Sequence, residues 1–205
     1  MHANQLATAL AAALTELKTH ADELRDLDQA LGDGDLGITV SLGADAVVAA
    51  LAELPEEATP TEVIRTCARA FANANPSTMA ALVAGGLLAG SRVWDDADDI
   101  TVALAGAFAR AAAENIGKRG KSAVGDKTIL DALAPAASAL ENAPGGAGAA
   151  LDAAIAAAEK GVVDTRDMQS QRGRASWLQE RSIGLQDPGA TAMWRFLESW
   201  KRANA

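Results

Sequence analysis

Three aspartates, Asp28, Asp33 and Asp35, crowd into the run Leu27-Asp28-Gln29-Ala30-Leu31-Gly32-Asp33-Gly34-Asp35-Leu36-Gly37. Leu10, Leu14, Leu17, Ala21, Leu24, Asp28 and Leu31 follow one another at alternating steps of four and three, so a helix through them carries Asp28 on its inward, apolar stripe. A bare carboxylate is costly to bury there. Asp33 and Asp35 follow on a turn loosened by Gly32, Gly34 and Gly37, and three converging carboxylates repel one another unless cations neutralise them. Hard oxygen donors on a flexible turn suit Mg²⁺, which keeps coordination positions for phosphate oxygens. The plainer alternative makes Asp33 a helix stop, Asp35 a helix cap and Asp28 the partner of an arginine, and the turn alone does not choose between the two. An EF-hand is excluded, because its loop needs Asp or Asn at the fifth position and an acidic ligand at the twelfth.

Three further stretches have the makings of anion sites. In Gly117-Lys118-Arg119-Gly120-Lys121-Ser122-Ala123-Val124-Gly125-Asp126-Lys127-Thr128, glycines free backbone amides, basic residues supply charge, and Thr128 is expected in the first turn of a helix whose dipole favours phosphate. It is not a P-loop, since Asp126 separates Gly125 from Lys127-Thr128 and no strand precedes it. Asn75-Pro76-Ser77-Thr78 sets two hydroxyls and free amides at a helix start, where ordinary N-capping would also put them. Arg172-Gly173-Arg174-Ala175-Ser176 and Asp187-Pro188-Gly189-Ala190-Thr191 flank a long irregular stretch; an arginine there can reach a phosphate, and Gly189 lets a nucleotide approach closely. Read singly, each is equally a solvated loop or a capped helix. His2 is terminal and His20 falls off the apolar stripe, so both are expected to be exposed and neither to act as a base. Cys67 reads as a small packing residue.

The elements that must position these residues are helical. Aromatics make up 3% of the chain, Tyr is absent and Ala recurs in runs, which favours helices over sheets. Periodicity and punctuation mark eight helical segments: Asn4–Leu31, Gly37–Leu54, Pro60 or Thr61 to Asn75, Ser77 to Trp94, Ile100–Ile116, Lys127–Glu141, Ala147–Met168 and Asp187–Lys201. An acidic link, Asp95–Asp99, joins the fourth to the fifth. No stretch alternates with period two for long enough to make a strand, so an all-α bundle or closed helical barrel is expected, as one domain over residues 1–205. Gln169–Gln186 exceeds an ordinary helix connection and is expected to be a functional lid.

The net charge of −9, with no basic tract to offset it, argues against a nucleic-acid partner. One cysteine allows no internal disulfide, which suits a reducing cytoplasm. The most apolar stretch, Met79–Ala89, is too short to span a bilayer. A cytoplasmic protein without membrane contact is expected.

Together, in the same order and over nearly the whole chain, the motifs resemble the L subunit (DhaL, or DAK2 domain) of dihydroxyacetone kinases. Leu27–Gly37 is similar to that family's magnesium signature. Gly125-Asp126-Lys127-Thr128 with Asp131 and Pro135 resembles its Gly-Asp-Lys-Thr helix, and Gly173–Ser176, Glu180–Gly184 and Gln186–Ala190 resemble its C-terminal signature almost letter for letter. Related fatty-acid kinase domains would not share that last segment. The resemblance implies a barrel of eight antiparallel up-and-down helices with ADP or ATP at one end, its phosphates bridged by two Mg²⁺ ions to Asp28, Asp33 and Asp35. It implies nucleotide contacts from Leu36, Gly37, Ile38, Thr39, Ser77, Thr78, Gly120, Thr128, Ile129, Arg174, Asp187, Pro188 and Gly189, with Arg174 as the catalytic side chain.

The implied activity is phosphoryl transfer to a short ketose, dihydroxyacetone or a relative such as erythrulose, held by a separate K subunit. The donor is either exchangeable ATP or a bound ADP recharged by a phosphocarrier protein, and a homodimer is left open. A different class of function, an ADP-sensing module docked on a transcription regulator without turnover of its own, would use the same pocket. The chain departs from the family pattern at Leu36, where His is usual, at Thr39, where Asn is usual, and at Asn75–Met79, which replace Gly-Gly-Ala-Ser-Gly. These changes lie near the phosphates and leave the sugar and the donor open.

Overall fold

The structure, a computed structural model, describes residues 1–95 and 97–205; Asp96, part of the expected acidic link, lies outside them. Among the described residues there are nine α-helices and no strand: α1 (Ala3–Leu17), α2 (Ala21–Leu31), α3 (Leu36–Ala52), α4 (Pro60–Ala74), α5 (Thr78–Ser91), α6 (Val102–Gly120), α7 (Leu130–Asn142), α8 (Ala147–Asp164) and α9 (Pro188–Ala203). Each of α3 to α9 packs on the next, α1 packs on α3, and α9 returns to α1, which closes the ring. Short connections between most of these neighbours make them run up and down. No helix is long and apolar enough to cross a membrane among the described residues.

The expected first helix is two. A tight turn at Lys18–His20 separates α1 from α2, and there the Thr19 hydroxyl donates to the Glu16 carbonyl at 2.8 Å. With α1 and α2 counted as one kinked unit, the ring has the eight members expected. Beneath this kink His20 is not exposed: its side chain is 14% accessible and its Nδ1 lies 3.3 Å from Glu23 Oε2.

Two other boundaries moved for local reasons. α6 continues through Gly117 to Gly120 and stops at Lys121, whose left-handed backbone (φ 52°) ends the helix. The first four residues of the expected basic loop, Gly117–Gly120, are therefore helix. α7 begins at Leu130 because Lys127 is also left-handed (φ 61°), so Thr128 sits just before the helix instead of in its first turn.

Small side chains let the helices approach. Ala132 and Ala136 of α7 meet Ala154 and Ala158 of α8 in one core cluster, while Leu6, Val47, Leu51, Val63 and Ile64 form another between α1, α3 and α4. A Cβ on Gly37 would collide with the Ala21 backbone carbonyl, so glycine there lets the first turn of α3 lie directly against α2. That contact sets the angle at which the chain between Leu31 and Leu36 turns back.

Candidate functional site

The turn between α2 and α3 gathers three acids. Asp28, Asp33 and Asp35 each offer a carboxylate oxygen, and these oxygens lie within 4.8 Å of one another. Asp28 leaves the last turn of α2 half-buried, and its Oδ2 accepts a hydrogen bond from Leu36 N at 3.2 Å. Burial, with the neighbouring charges of Asp33 and Asp35, pushes the Asp28 carboxyl above its ordinary value, against the backbone hydrogen bonds it accepts. A Cβ at position 32 would stand 2.6 Å from Asp28 Oδ1, so only glycine leaves this oxygen its place.

Two parts of the plainer alternative for these acids are not seen. Asp35 occupies the position before α3, but its side chain makes no capping hydrogen bond. Asp28 has no arginine partner among the described residues; it is Asp33 that pairs with an arginine, Arg174. The donor set fits Mg²⁺: all oxygen, anionic, half-exposed, and spaced so that small side-chain rotations bring pairs to the roughly 3–4 Å separation that two ligands of one octahedral ion require.

Around the acids stand two helix N-termini that favour anions. At α3, Leu36 turns its side chain into a core cluster with Leu17 and Leu24 and ties its amide to Asp28, Gly37 is buried, and Ile38 is 56% exposed. Thr39 is 2% exposed, and its Oγ1 accepts from Asn75 Nδ2 at 2.8 Å. Two of the positions that depart from the family pattern therefore touch each other. At α5, the Ser77 hydroxyl accepts from Ala80 N at 3.1 Å, and Thr78 is exposed beside it.

The remaining expected contacts fall into two groups. Gly120 lies against Leu82, one turn into α5 from Thr78. Ile129 and Gly189 adjoin, with Ile129 N 3.5 Å from where a Gly189 Cβ would be. The Asp187 carboxylate faces inward, accepts from Ala190 N at 2.7 Å and caps α9, so this turn offers a ligand only its backbone. Thr128 is engaged locally, its Oγ1 accepting from Leu130 N at 3.2 Å.

Two residues of the Gly-Asp-Lys-Thr motif have roles here that the sequence did not show. Lys127, expected to open the sixth helix, is 2% exposed and donates to the carbonyls of Met168, Ser182 and Leu185 at 3.1, 2.6 and 2.6 Å. Asp131 is 3% exposed and accepts from Gly125 N at 2.6 Å and Thr128 N at 2.7 Å, closing the loop before α7. A lysine between Asp126 and Thr128, itself left-handed (φ 61°), gives no sign in sequence that it points inward. A groove of about 510 Å³ outside α6 and α7, lined in part by Arg110, Glu114, Lys118 and Glu141, contains none of the acids.

The family model for the DAK2 domain matches residues 30–202. The chain belongs to the DAK2 domain family. Among its relatives, the ADP-binding subunit DhaL of PEP-dependent dihydroxyacetone kinase 1 from Listeria innocua is 35% identical over 171 residues, covering 82% of this chain and 79% of that one. The L-erythrulose 1-kinase of Mycolicibacterium smegmatis is 34% identical over 82% of this chain, which spans only 30% of that enzyme. This DAK2 domain also superposes on the dihydroxyacetone kinase of C. freundii, solved with AMP-PNP and Mg²⁺, with a TM-score of 0.70 at 21% identity, over 96% of this chain and 33% of that one. At that identity the likeness establishes the all-helical fold.

Proposed function

We propose that this DAK2 domain is the nucleotide-binding subunit of a dihydroxyacetone-kinase-type phosphotransferase. It would hold ADP or ATP through two Mg²⁺ ions on Asp28, Asp33 and Asp35 and pass a phosphoryl group to a short ketose held by a partner K subunit. The observation that carries this reading is the convergence of three carboxylate oxygens within 4.8 Å of one another beside the N-terminus of α3, with Arg174 reaching in from the far end of the chain. Bound Mg²⁺ would neutralise phosphate charge and bridge the nucleotide to the acids. The chain's own residues do the rest: amides of α3 and α5 orient phosphate oxygens, and Arg174 supplies a mobile positive charge where charge moves during transfer. Such positioning and neutralisation suffice for phosphoryl transfer without a protein nucleophile.

The names of the relatives support a kinase acting on an alcohol group, and the DhaL relative supports a separate partner for the sugar. Two relatives of nearly equal identity are named for different ketoses, so dihydroxyacetone and erythrulose are both to be tried. Titration calorimetry of the purified chain with ADP at millimolar Mg²⁺ tests binding. Adding a K subunit, a phosphoryl donor and either ketose tests turnover, and the absence of sugar phosphate despite tight nucleotide binding would count for a sensing role instead.

A further inference from the structure

The segment between α8 and α9 carries Arg174 to the acids, yet it has little regular structure of its own. Arg174–Ser182 forms short tight turns interrupted at Gln179 (φ 51°), Trp177 is 81% exposed, and among the described residues none of the nine belongs to a hydrophobic core cluster. The segment is held instead by polar bonds to the loop before α7. The Lys127 ammonium donates to Met168 O where the segment begins and to Ser182 O and Leu185 O where it ends. An ammonium has three protons, so these acceptors saturate it. Asp126 adds an outer grip: its carbonyl accepts from Gln171 N at 3.0 Å and its Oδ2 accepts from Arg172 Nε at 3.0 Å. Within the segment, Ser182 Oγ accepts from Ser170 N at 2.9 Å and donates to Gln179 O at 2.6 Å.

We propose that Lys127 is a positioning residue: by tying together both ends of the 169–186 segment it fixes where Arg174 stands over the acidic cluster. This rests on the function proposed above only in that Arg174 serves the nucleotide there. A buried cation bonded to three main-chain carbonyls holds geometry well, because each carbonyl loses a strong partner if the ammonium goes. Lys127 touches neither Asp28, Asp33, Asp35 nor Arg174, and so acts through the segment.

A double-mutant cycle on the full chain tests it. Dissociation constants for Mg-ADP are measured for the parent, Lys127→Met, Arg174→Gln and the pair, with tryptic cleavage at Arg172, Arg174 and Arg181 followed in parallel without nucleotide. Lys127→Met is expected to weaken Mg-ADP by up to about tenfold, no more than Arg174→Gln does, and to speed cleavage in the segment, with helix content by circular dichroism unchanged. The pair is expected to bind no more weakly than Arg174→Gln alone, because a mispositioned arginine and a missing one cost the same. Losses that multiply in the pair, or parent-like binding and cleavage in Lys127→Met, would overturn the proposal. If Lys127→Met does not fold, Ser182→Ala, which loosens the segment without touching α7, takes its place with the same two expectations. If the parent itself fails to bind Mg-ADP, the proposed function falls, and the cleavage rates still decide whether Lys127 holds the segment.

Discussion

Arg174, from the segment before α9, forms an ion pair with Asp33, from the turn before α3, across 141 positions of sequence. Both side chains are well exposed, at 59% and 43%, so the pair contributes less than about 1 kcal/mol to stability. An interaction that weak exchanges partners readily. Its importance is geometric: a guanidinium that reaches Asp33 also reaches phosphate oxygens on any metal that Asp33 binds.

Replacing Arg174 with Gln should therefore leave the fold intact while weakening Mg-ADP about tenfold, the cost of one charge-assisted hydrogen bond. Phosphoryl transfer in the reconstituted system should fall further, by about 100-fold or more, because the charge is needed most as the bond breaks. Comparing calorimetry with a turnover assay separates the two losses. Equal losses in binding and rate would mean that Arg174 merely holds the ground state.

Asp33→Ala is expected to abolish Mg-dependent nucleotide binding and to leave helix content unchanged. The residue sits on an exposed turn and caps no helix, so its removal opens no cavity. Circular dichroism and a nucleotide titration read the two halves. Undiminished binding would remove Asp33 from the metal site.

The convergence of the acids was readable in the sequence because it is local: a carboxylate on an apolar stripe is followed within seven positions by two on a glycine turn, although the turn alone left a capped helix end open. The ring of helices was readable too, from Ala-rich periodicity and from Pro and Gly at its breaks. What sequence could not give was decided by distant backbone. The inward turn of Lys127 depends on carbonyls of Met168, Ser182 and Leu185, which lie 41 to 58 positions away. The tight turn at Lys18–His20 leaves the spacing of apolar residues unbroken, so a period count does not see it.

Gly37→Ala should destabilise the protein by about 1–3 kcal/mol, since the added Cβ meets the Ala21 main-chain carbonyl and can be relieved only by parting α2 from α3. As that contact also sets the acidic turn, Mg-ADP affinity should drop in the same variant. Thermal melts with and without Mg-ADP report both, and an unshifted melting temperature would show that the two helices separate freely.

Asp187 makes stability depend on pH in a direction opposite to that of most surface carboxylates. Its burial pushes the carboxyl up to about 7, from an ordinary 3.8, with Asp131 adding to the rise and Lys127 and the amides of Ala190 and Gly189 opposing it. Between those two values the folded chain keeps a proton that the unfolded chain has released, so stability falls as pH rises through this window, by at most about 1.4 kcal/mol per pH unit, and levels off above it. Asp187→Asn keeps an oxygen to accept from Ala190 N and removes the titration. The variant should therefore match the parent near pH 4 and gain on it steadily up to pH 7, as read by urea midpoints across that range. A parent that is instead the more stable of the two at pH 8 would mean that Asp187 is ionised in the fold and paired with Lys127.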